Sequence, residues 1–446
     1  MVTDMKKILH FTEFLLLLIF CNIIPVCTII KSAVLFKVCI ITALTILFLF
    51  VLIHSEQITV DSRKLRRINK GCQLVEYAGF AAVSELFILP LYITKAAPPV
   101  VNIVFSVAFP VIFIALTLFC GIIRIVVSSK QVKLTDHVLL FLFWWVPVVN
   151  IFLFRKLYKT GRREFTFESD RIELENARAE NEICKTKYPV LMVHGIFFRD
   201  WQYFNYWGRV PAALIRNGAD IYYGNQQSAG AIVRSAEELK QRILEVISET
   251  GAEKVNIIAH SKGGLDSRYA ISILGMDKYV ATLTTINTPH EGCNMVDFLL
   301  SKCPQGLVNF VSKRYNGIFT KLGDNKPDFI SGVRDLSAVS AKEFNRTVPD
   351  SPEVVYRSYM SVMSSWRSAF FPLCFSYLLI KKLDGENDGL VYAESARHGD
   401  FELIRAPRRR GICHGDVIDL MRENIEGYDV REFYIKLVEN LKKSGF

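Results

Sequence analysis

The stretch Lys254-Val-Asn-Ile-Ile-Ala259-His260-Ser261-Lys262-Gly263-Gly264 has the residue types and spacing of nucleophilic catalysis. An apolar run from Val255 to Ile258 reads as a buried strand and leads straight into the serine. A helix is expected after it, through Arg268, Tyr269 and Ile271. A sharp strand–turn–helix needs small residues two before and two after the serine, and Ala259 and Gly263 stand there. Such a turn presents the serine oxygen at the carboxyl end of a sheet. There the N-terminus of a helix favours developing negative charge. A small-x-Ser-x-Gly pattern arises by chance, so the other parts of an acyl-transfer site must also be found.

Three further parts can be named. In Tyr188-Pro-Val-Leu-Met-Val193-His194-Gly195-Ile196-Phe197 a buried strand again ends in glycine. The backbone N–H of Ile196 and that of Lys262 are the candidate oxyanion donors, because rigid amides can be aimed before charge appears. The side chain of His194 reads as a local hydrogen-bonding element. Downstream, Asp384-Gly-Glu386-Asn387-Asp388-Gly389-Leu390-Val391 follows the apolar run Phe375 to Ile380, read as a strand, and precedes another apolar run. Asp388, just before glycine, is the candidate acid; Asp384 and Glu386 read as surface turn residues. Two histidines compete as base, each in a His-Gly-Asp triplet: His398 and His414. His398 comes before the strand Phe401 to Arg405. His414 comes after that strand and after the basic loop Arg408-Arg409-Arg410-Gly411, and opens an expected helix from Val417 to Asn424. His414 is therefore placed at the carboxyl end of the sheet and is the chosen base. Ser261, Asp388 and His414 would then split an ester through an acyl-enzyme.

These residues need a parallel sheet to hold them, and the chain after residue 186 has the texture of one. Short β-branched runs alternate there with amphipathic helical stretches, the sign of an α/β domain. Before residue 155 the chain differs. The apolar runs Phe14–Ile30, Ala33–Ile53, Cys72–Thr94, Val100–Ile123 and Val138–Phe154 follow one another. A spanning helix needs about 20 apolar residues. The expected organisation is a helical transmembrane region over 1–155, a charged helical linker over 156–186 and an α/β domain over 187–446. The net charge of +10 does not mark a nucleic-acid binder. Residues 1–155 hold 14 Lys/Arg against 7 Asp/Glu, while the remainder holds 40 against 37. Basic residues that flank apolar runs set membrane orientation. If all five runs span, Lys/Arg divide ten against eight between the two sides. If the last run turns back at Trp144-Trp145-Val146-Pro147, they divide fifteen against three. The second arrangement satisfies the positive-inside rule and puts the α/β domain on the cytoplasmic side. Glu76 and Glu85 lie inside the third run with no cation beside them, and read as helix-end or loosely packed positions. The ten cysteines form no CxxC pair, which argues against a zinc or thioredoxin-like site.

From residue 185 to 440 the chain resembles bacterial triacylglycerol lipases of the true-lipase kind. The likeness rests on Pro189 to Gly195, Tyr206-Trp207-Gly208, Asn217-Gly218-Ala219-Asp220-Ile221-Tyr222 and Ser261-Lys-Gly-Gly-Leu. It continues through Leu283-Thr-Thr-Ile-Asn287-Thr-Pro-His290, Asn387-Asp388-Gly389-Leu390-Val391 and His414-Gly415-Asp416. The resemblance implies an α/β-hydrolase fold with a mostly parallel sheet, the triad Ser261, Asp388 and His414, and a lid over residues 300–345. It also implies half of a structural calcium site. Asp416, two residues after the base, matches one of the family's two calcium aspartates. The region of the other reads Ser364-Ser365-Trp366-Arg367, without a carboxylate, and a hard cation wants several oxygen ligands. Asp416 could instead cap the expected helix. The chemistry itself requires no cofactor. The membrane region is a further departure from the secreted family.

The aromatic residues Phe197, Phe198, Trp201, Tyr203, Phe204, Tyr206 and Trp207 suit either an acyl-binding wall or an ordinary core. The expected partners are a lipid ester and a bilayer, with no nucleic acid, and the expected place is a bacterial cell membrane. Three rival readings are an acyltransferase on the same scaffold, an esterase for small soluble substrates, and a membrane scaffold or transporter carrying an inert hydrolase-like domain.

Overall fold

The structure, a computed structural model, describes residues 2–30, 33–55, 62–196, 205–227, 229–321, 324, 327–369, 371–406 and 410–446. The chain divides into two units, Met1–Leu174 and Glu175–Phe446.

The first unit is helical: α1 Val2–Cys21, α2 Ile23–Ile29, α3 Val34–Ile53, α4 Arg63–Ala96, α5 Val100–Ser128, α6 Leu134–Phe143 and the start of α7 Pro147–Arg178. Three of these, α3, α4 and α5, are long and apolar enough to cross a membrane. The pair α1–α2 is long enough as well, but bends by 69° at Asn22. Leu35, Phe36, Ile46 and Phe50 of α3 and Phe105, Val111 and Phe119 of α5 are exposed, as suits helices whose solvent is hydrocarbon. The last apolar run breaks at Trp144-Trp145-Val146, and α6 has only ten residues. The charged stretch, expected as a helical linker over 156–186, is helical as far as Arg178, within α7.

Polar groups inside this unit find partners on other helices. Glu13 of α1, 4% exposed, takes Lys70 Nζ of α4 at 2.7 Å, Tyr77 Oη at 3.0 Å and His54 Nδ1 at 3.0 Å. Glu76 accepts the Tyr158 hydroxyl at 2.6 Å and pairs with Arg162 at 3.3 Å, both from α7. Glu85 accepts the Asn22 amide at 2.6 Å. The cation absent from the sequence neighbourhood of Glu76 is thus supplied in space, by Arg162 of α7. A buried carboxylate without such a partner would be costly.

The second unit is built on a six-stranded sheet in the order β2-β1-β3-β4-β5-β6. The strands are β1 Val190–Val193, β2 Ile221–Tyr223, β3 Val255–His260, β4 Val280–Ile286, β5 Val355–Ser361 and β6 Asp400–Ile404, and every neighbouring pair is parallel. Side chains alternate between two cores, as strand periodicity demands. Leu191, Val193, Ile257, Ala259 and Leu283 face α9 (Ile232–Thr250) and α10 (Lys262–Ser272). Val190, Met192, Ile258 and Ile286 face α8 (Val210–Arg216) and α16 (Val430–Lys443). Between β4 and β5 lies a helical insertion of α11 Asn294–Lys302, α12 Gln305–Lys321, α13 Phe329–Arg334 and α14 Ala338–Thr347. The chain winds from β1 outward to β2 and then returns past β1 to β3. Strand order therefore reverses between β1 and β3, and such a reversal opens a crevice at the carboxyl ends of the strands. This is the α/β-hydrolase fold.

Two local readings need correction. Phe375 to Ile380 is not a strand but part of α15 Leu373–Leu383, in which Tyr377 and Ile380 turn to the core one helical turn apart. Val417 to Asn424 forms no α-helix. A short 3-10 turn over Asp416–Ile418 ends at Asp419, which adopts φ 57°, and Arg422 follows with φ 53°. Asp419 is held there by a fork from Arg209, at 2.8 Å to each carboxylate oxygen.

Candidate active site

Ser261 follows β3 and precedes the first residue of α10 with φ 54° and ψ −130°, a strained conformation for a residue with a side chain. Its amide N–H donates to Ile286 O at 2.9 Å and its carbonyl accepts the Thr288 hydroxyl at 2.7 Å, so β4 and the turn after it clamp the elbow. The tightness of the turn explains the small residues around it. A Cβ on Gly263 would clash with His194 O and lie 2.9 Å from Val193 O. A Cβ on Gly195 would come 2.8 Å from Ser261 Cβ. The register Val193↔Ala259 thus carries β1 and β3 to a common end, where Gly195 touches Ser261. Lys262 is the first residue of α10, and its N–H has no partner within the helix. Ile196, 7% exposed, follows Gly195 on the facing loop.

Asp388 is fully buried at the same end of the sheet. Its Oδ1 accepts the N–H groups of Leu390 and Val391, each at 2.8 Å. Its Oδ2 accepts Asn287 Nδ2 at 2.7 Å and faces His414 Nδ1 at 2.6 Å. The His414 amide also donates to Asp388 O at 2.9 Å, so backbone and side chain both tie the two loops together. His398 lies before β6, at the amino end of the sheet, away from the carboxyl end that holds Ser261. It pairs with Asp350 at 3.1 Å and stacks on His290. Asp384 takes the Asn294 amide and Glu386 pairs with Arg405; neither carboxylate reaches His414.

Asn287 and His260, beside this cluster, were given no role by the sequence. Asn287, in the left-handed region at φ 51°, bridges Asp388 and Ser361 Oγ. His260 lies between Tyr206 and His414. Tyr206 Oη is 2.6 Å from its Nδ1, and its ring centroid is 4.5 Å from that of His414. Burial, with His414 beside it, pushes the His260 pKa well below the usual imidazole value, which keeps it neutral. Tyr206 also accepts the Gly195 N–H at 3.0 Å, so one hydroxyl links the loop after β1 to the elbow. Tyr206 and Trp207 are core residues packed near Tyr434, not an acyl wall. Phe197, Phe198, Trp201, Tyr203 and Phe204 lie outside the described residues. The His194 ring sits 2.8 Å from Gly195 O and 2.9 Å from Gln226 O, a backbone-bracing position. The Lys262 side chain points away into the core, where Nζ meets Asp266 at 2.6 Å and Ser235 Oγ at 3.1 Å.

Asp416 is occupied. Its Oδ2 accepts Cys413 N–H at 2.9 Å and Arg410 Nη1 at 3.1 Å, and its Oδ1 accepts Arg410 Nη2 at 3.2 Å. It caps the His414 turn rather than a helix.

The chain is similar to known esterases and lipases. Residues 189–324 match the family model described as "Putative serine esterase (DUF676)". A triacylglycerol lipase of Burkholderia plantarii is 33% identical over 187 residues, 39% of this chain and 52% of that one. A triacylglycerol lipase of Pseudomonas fragi is 30% identical over 300 residues, 59% of this chain and 99% of that protein. The chain belongs to the triacylglycerol lipase family. It spans about half the length of the first curated relatives it matches, 52% and 55%. Among solved structures, the Staphylococcus hyicus lipase aligns over 58% of this chain and 97% of its own, at 18% identity and a TM-score of 0.47. Ser261, at the end of β3, and the Asp388–His414 pair, tied to the turn after β4 through Asn287, lie at the same end of the sheet.

Proposed function

We propose that this chain is a membrane-anchored serine hydrolase that cleaves carboxylic esters of lipids, acylglycerols foremost, through an acyl-enzyme on Ser261. The observation that carries the reading is the 2.6 Å contact between Asp388 Oδ2 and His414 Nδ1 at the sheet end that bears the Ser261 elbow. With Nδ1–H donated to Asp388, His414 Nε2 is left as the base. It takes the Ser261 proton as the hydroxyl attacks the ester carbonyl, and returns it to the leaving alcohol. Asp388 holds the tautomer and stabilises the imidazolium. The N–H groups of Ile196 and Lys262 receive the oxyanion, and water then releases the acid with His414 again as base. The insertion between β4 and β5 serves as the lid. The three long apolar helices would anchor the chain, and the positive-inside count supports a cytoplasmic hydrolase unit.

Labelling with a fluorophosphonate tests the site. Wild type is expected to label, Ser261→Ala not at all, and His414→Ala orders of magnitude more slowly, because triad members act as a unit. Equal labelling of Ser261→Ala and wild type would sink the proposal. Long-chain esters in micelles are expected to be cleaved faster than monomeric short-chain esters. Transfer of the acyl group to an added alcohol in preference to water would mark an acyltransferase instead. A cysteine-accessibility map that puts residue 170 outside the cell would overturn the orientation.

A further inference from the structure

The loop that carries His414 is closed by an ion cluster. Arg410 forks onto Asp416 at 3.1 and 3.2 Å and reaches Glu423 Oε2 at 2.7 Å. Asp416 in turn holds the Cys413 N–H, the amide just before His414. The other side of this loop packs on the segment that follows β5. Ile412 N donates to Val362 O at 2.8 Å, Ser364 N to Arg410 O at 3.4 Å, and Met363 and Gly411 form a bridge. A Cβ on Gly411 would clash with Ser364 N and lie 2.7 Å from Val362 O, so only glycine allows this approach. Met363 N then donates to Asn387 O at 2.9 Å, joining the same segment to the loop of Asp388.

This arrangement does not fit the calcium that the family resemblance implies. A calcium ion takes six to eight oxygen ligands at about 2.3–2.6 Å. Here both oxygens of Asp416 already accept from a guanidinium, and the segment that should bring the second carboxylate brings backbone groups to Arg410 and Gly411. Among the described residues no three His, Cys, Asp or Glu side chains gather as a metal site. Asp416 is buried, and Arg410 is the cation that faces its carboxylate. A guanidinium suits the task because it is planar, always charged and bidentate towards carboxylate.

We propose that Arg410 is the resident cation of this site: a positioning residue that holds the Cys413–Asp416 turn, and through it His414, without a divalent metal. The proposal rests on the reading of His414 as the base. The full chain in detergent micelles provides the test, with ester hydrolysis and thermal unfolding as parallel readouts. Wild type is expected to keep its kcat in EDTA and to show no rise in Tm on adding calcium. Arg410→Ala is expected to lose about 10–100-fold in kcat with little change in KM, the size of effect seen when an outer partner that orients a functional group is removed. Arg410→Lys is expected to fall between, since a point charge cannot fork. The Arg410 side chain is 32% exposed, so methylguanidinium can reach the space vacated in Arg410→Ala and is expected to restore part of kcat. A wild type that loses activity and Tm in EDTA and regains both with calcium overturns the proposal. So does a folded Arg410→Ala with wild-type kcat, or one that methylguanidinium does not restore at all. Should Arg410→Ala not fold, Arg410→Lys and the chelator arm decide. Failure of the underlying reading looks different: Ser261→Ala would then still hydrolyse ester.

Discussion

At the residue scale, the Asp388 carboxylate carries four hydrogen bonds, and each has a separable consequence. Asp388→Asn preserves shape but can present an N–H where His414 needs an acceptor, so kcat is expected to fall by about four orders of magnitude. Asn287→Ala removes one charge-assisted bond and leaves the other three. A loss of about 10–100-fold is expected, checked by steady-state hydrolysis against the same ester. Lys262 and Asp266 make a different case: both are buried, and their 2.6 Å pair lies just behind the elbow. Lys262→Met alone strands a buried carboxylate and is expected to cost about 3–5 kcal/mol in denaturant unfolding. The double change Lys262→Met with Asp266→Leu removes both charges and is expected to restore most of that. Burial raises the Asp266 pKa from 3.8 to about 6, against the pull of Lys262. The folded state therefore binds this proton more tightly than the unfolded chain. The resulting stability is present in full below 3.8 and is lost as pH rises through about 6. Relative to the uncharged double variant, wild type is thus expected to gain stability as pH falls across that window, followed by melts at stepped pH.

At the scale of elements, the site depends on how closely β1 approaches the start of α10. Gly263 lies against the carbonyls of Val193, the last residue of β1, and of His194 just after it, which lead into the loop with Ile196. Gly263→Ala must push that strand end away. An unfolding penalty of about 1–3 kcal/mol is expected, with a fall in kcat larger than any change in KM because the two candidate oxyanion amides separate. Local sequence foretold β1, β3 and α10, since each follows from a short run of neighbouring residues. It misread two elements. The run Phe375 to Ile380 looked like a strand because it is short and apolar; its contacts at Tyr377 and Ile380 make it a helix. Val417 to Asn424 looked like a helix, but Asp419 is drawn to Arg209, 210 residues away in sequence, and the backbone turns instead. In the second case a distant partner outweighed local preference.

At the scale of the whole molecule, a unit of α/β-hydrolase fold shares its chain with helices suited to a bilayer. The full chain is expected to stay in the membrane fraction through high-salt and alkaline-carbonate washes and to leave only with detergent; release by carbonate would refute anchoring by spanning helices. The sequence by itself determined the elbow around Ser261, the glycine-ended strand before it, and the presence of long apolar helices near the N-terminus, because each depends on residues adjacent in the chain. It also named Asp388 and His414 by their order and position. Only the tertiary structure decided which groups meet: His414 with Asp388 while His398 goes to Asp350, Glu76 with Arg162, and Asp416 with Arg410. Turns and periodicities are set by steric rules over a few residues. Charge partners are chosen by packing between elements far apart in sequence, where burial makes a missing partner costly.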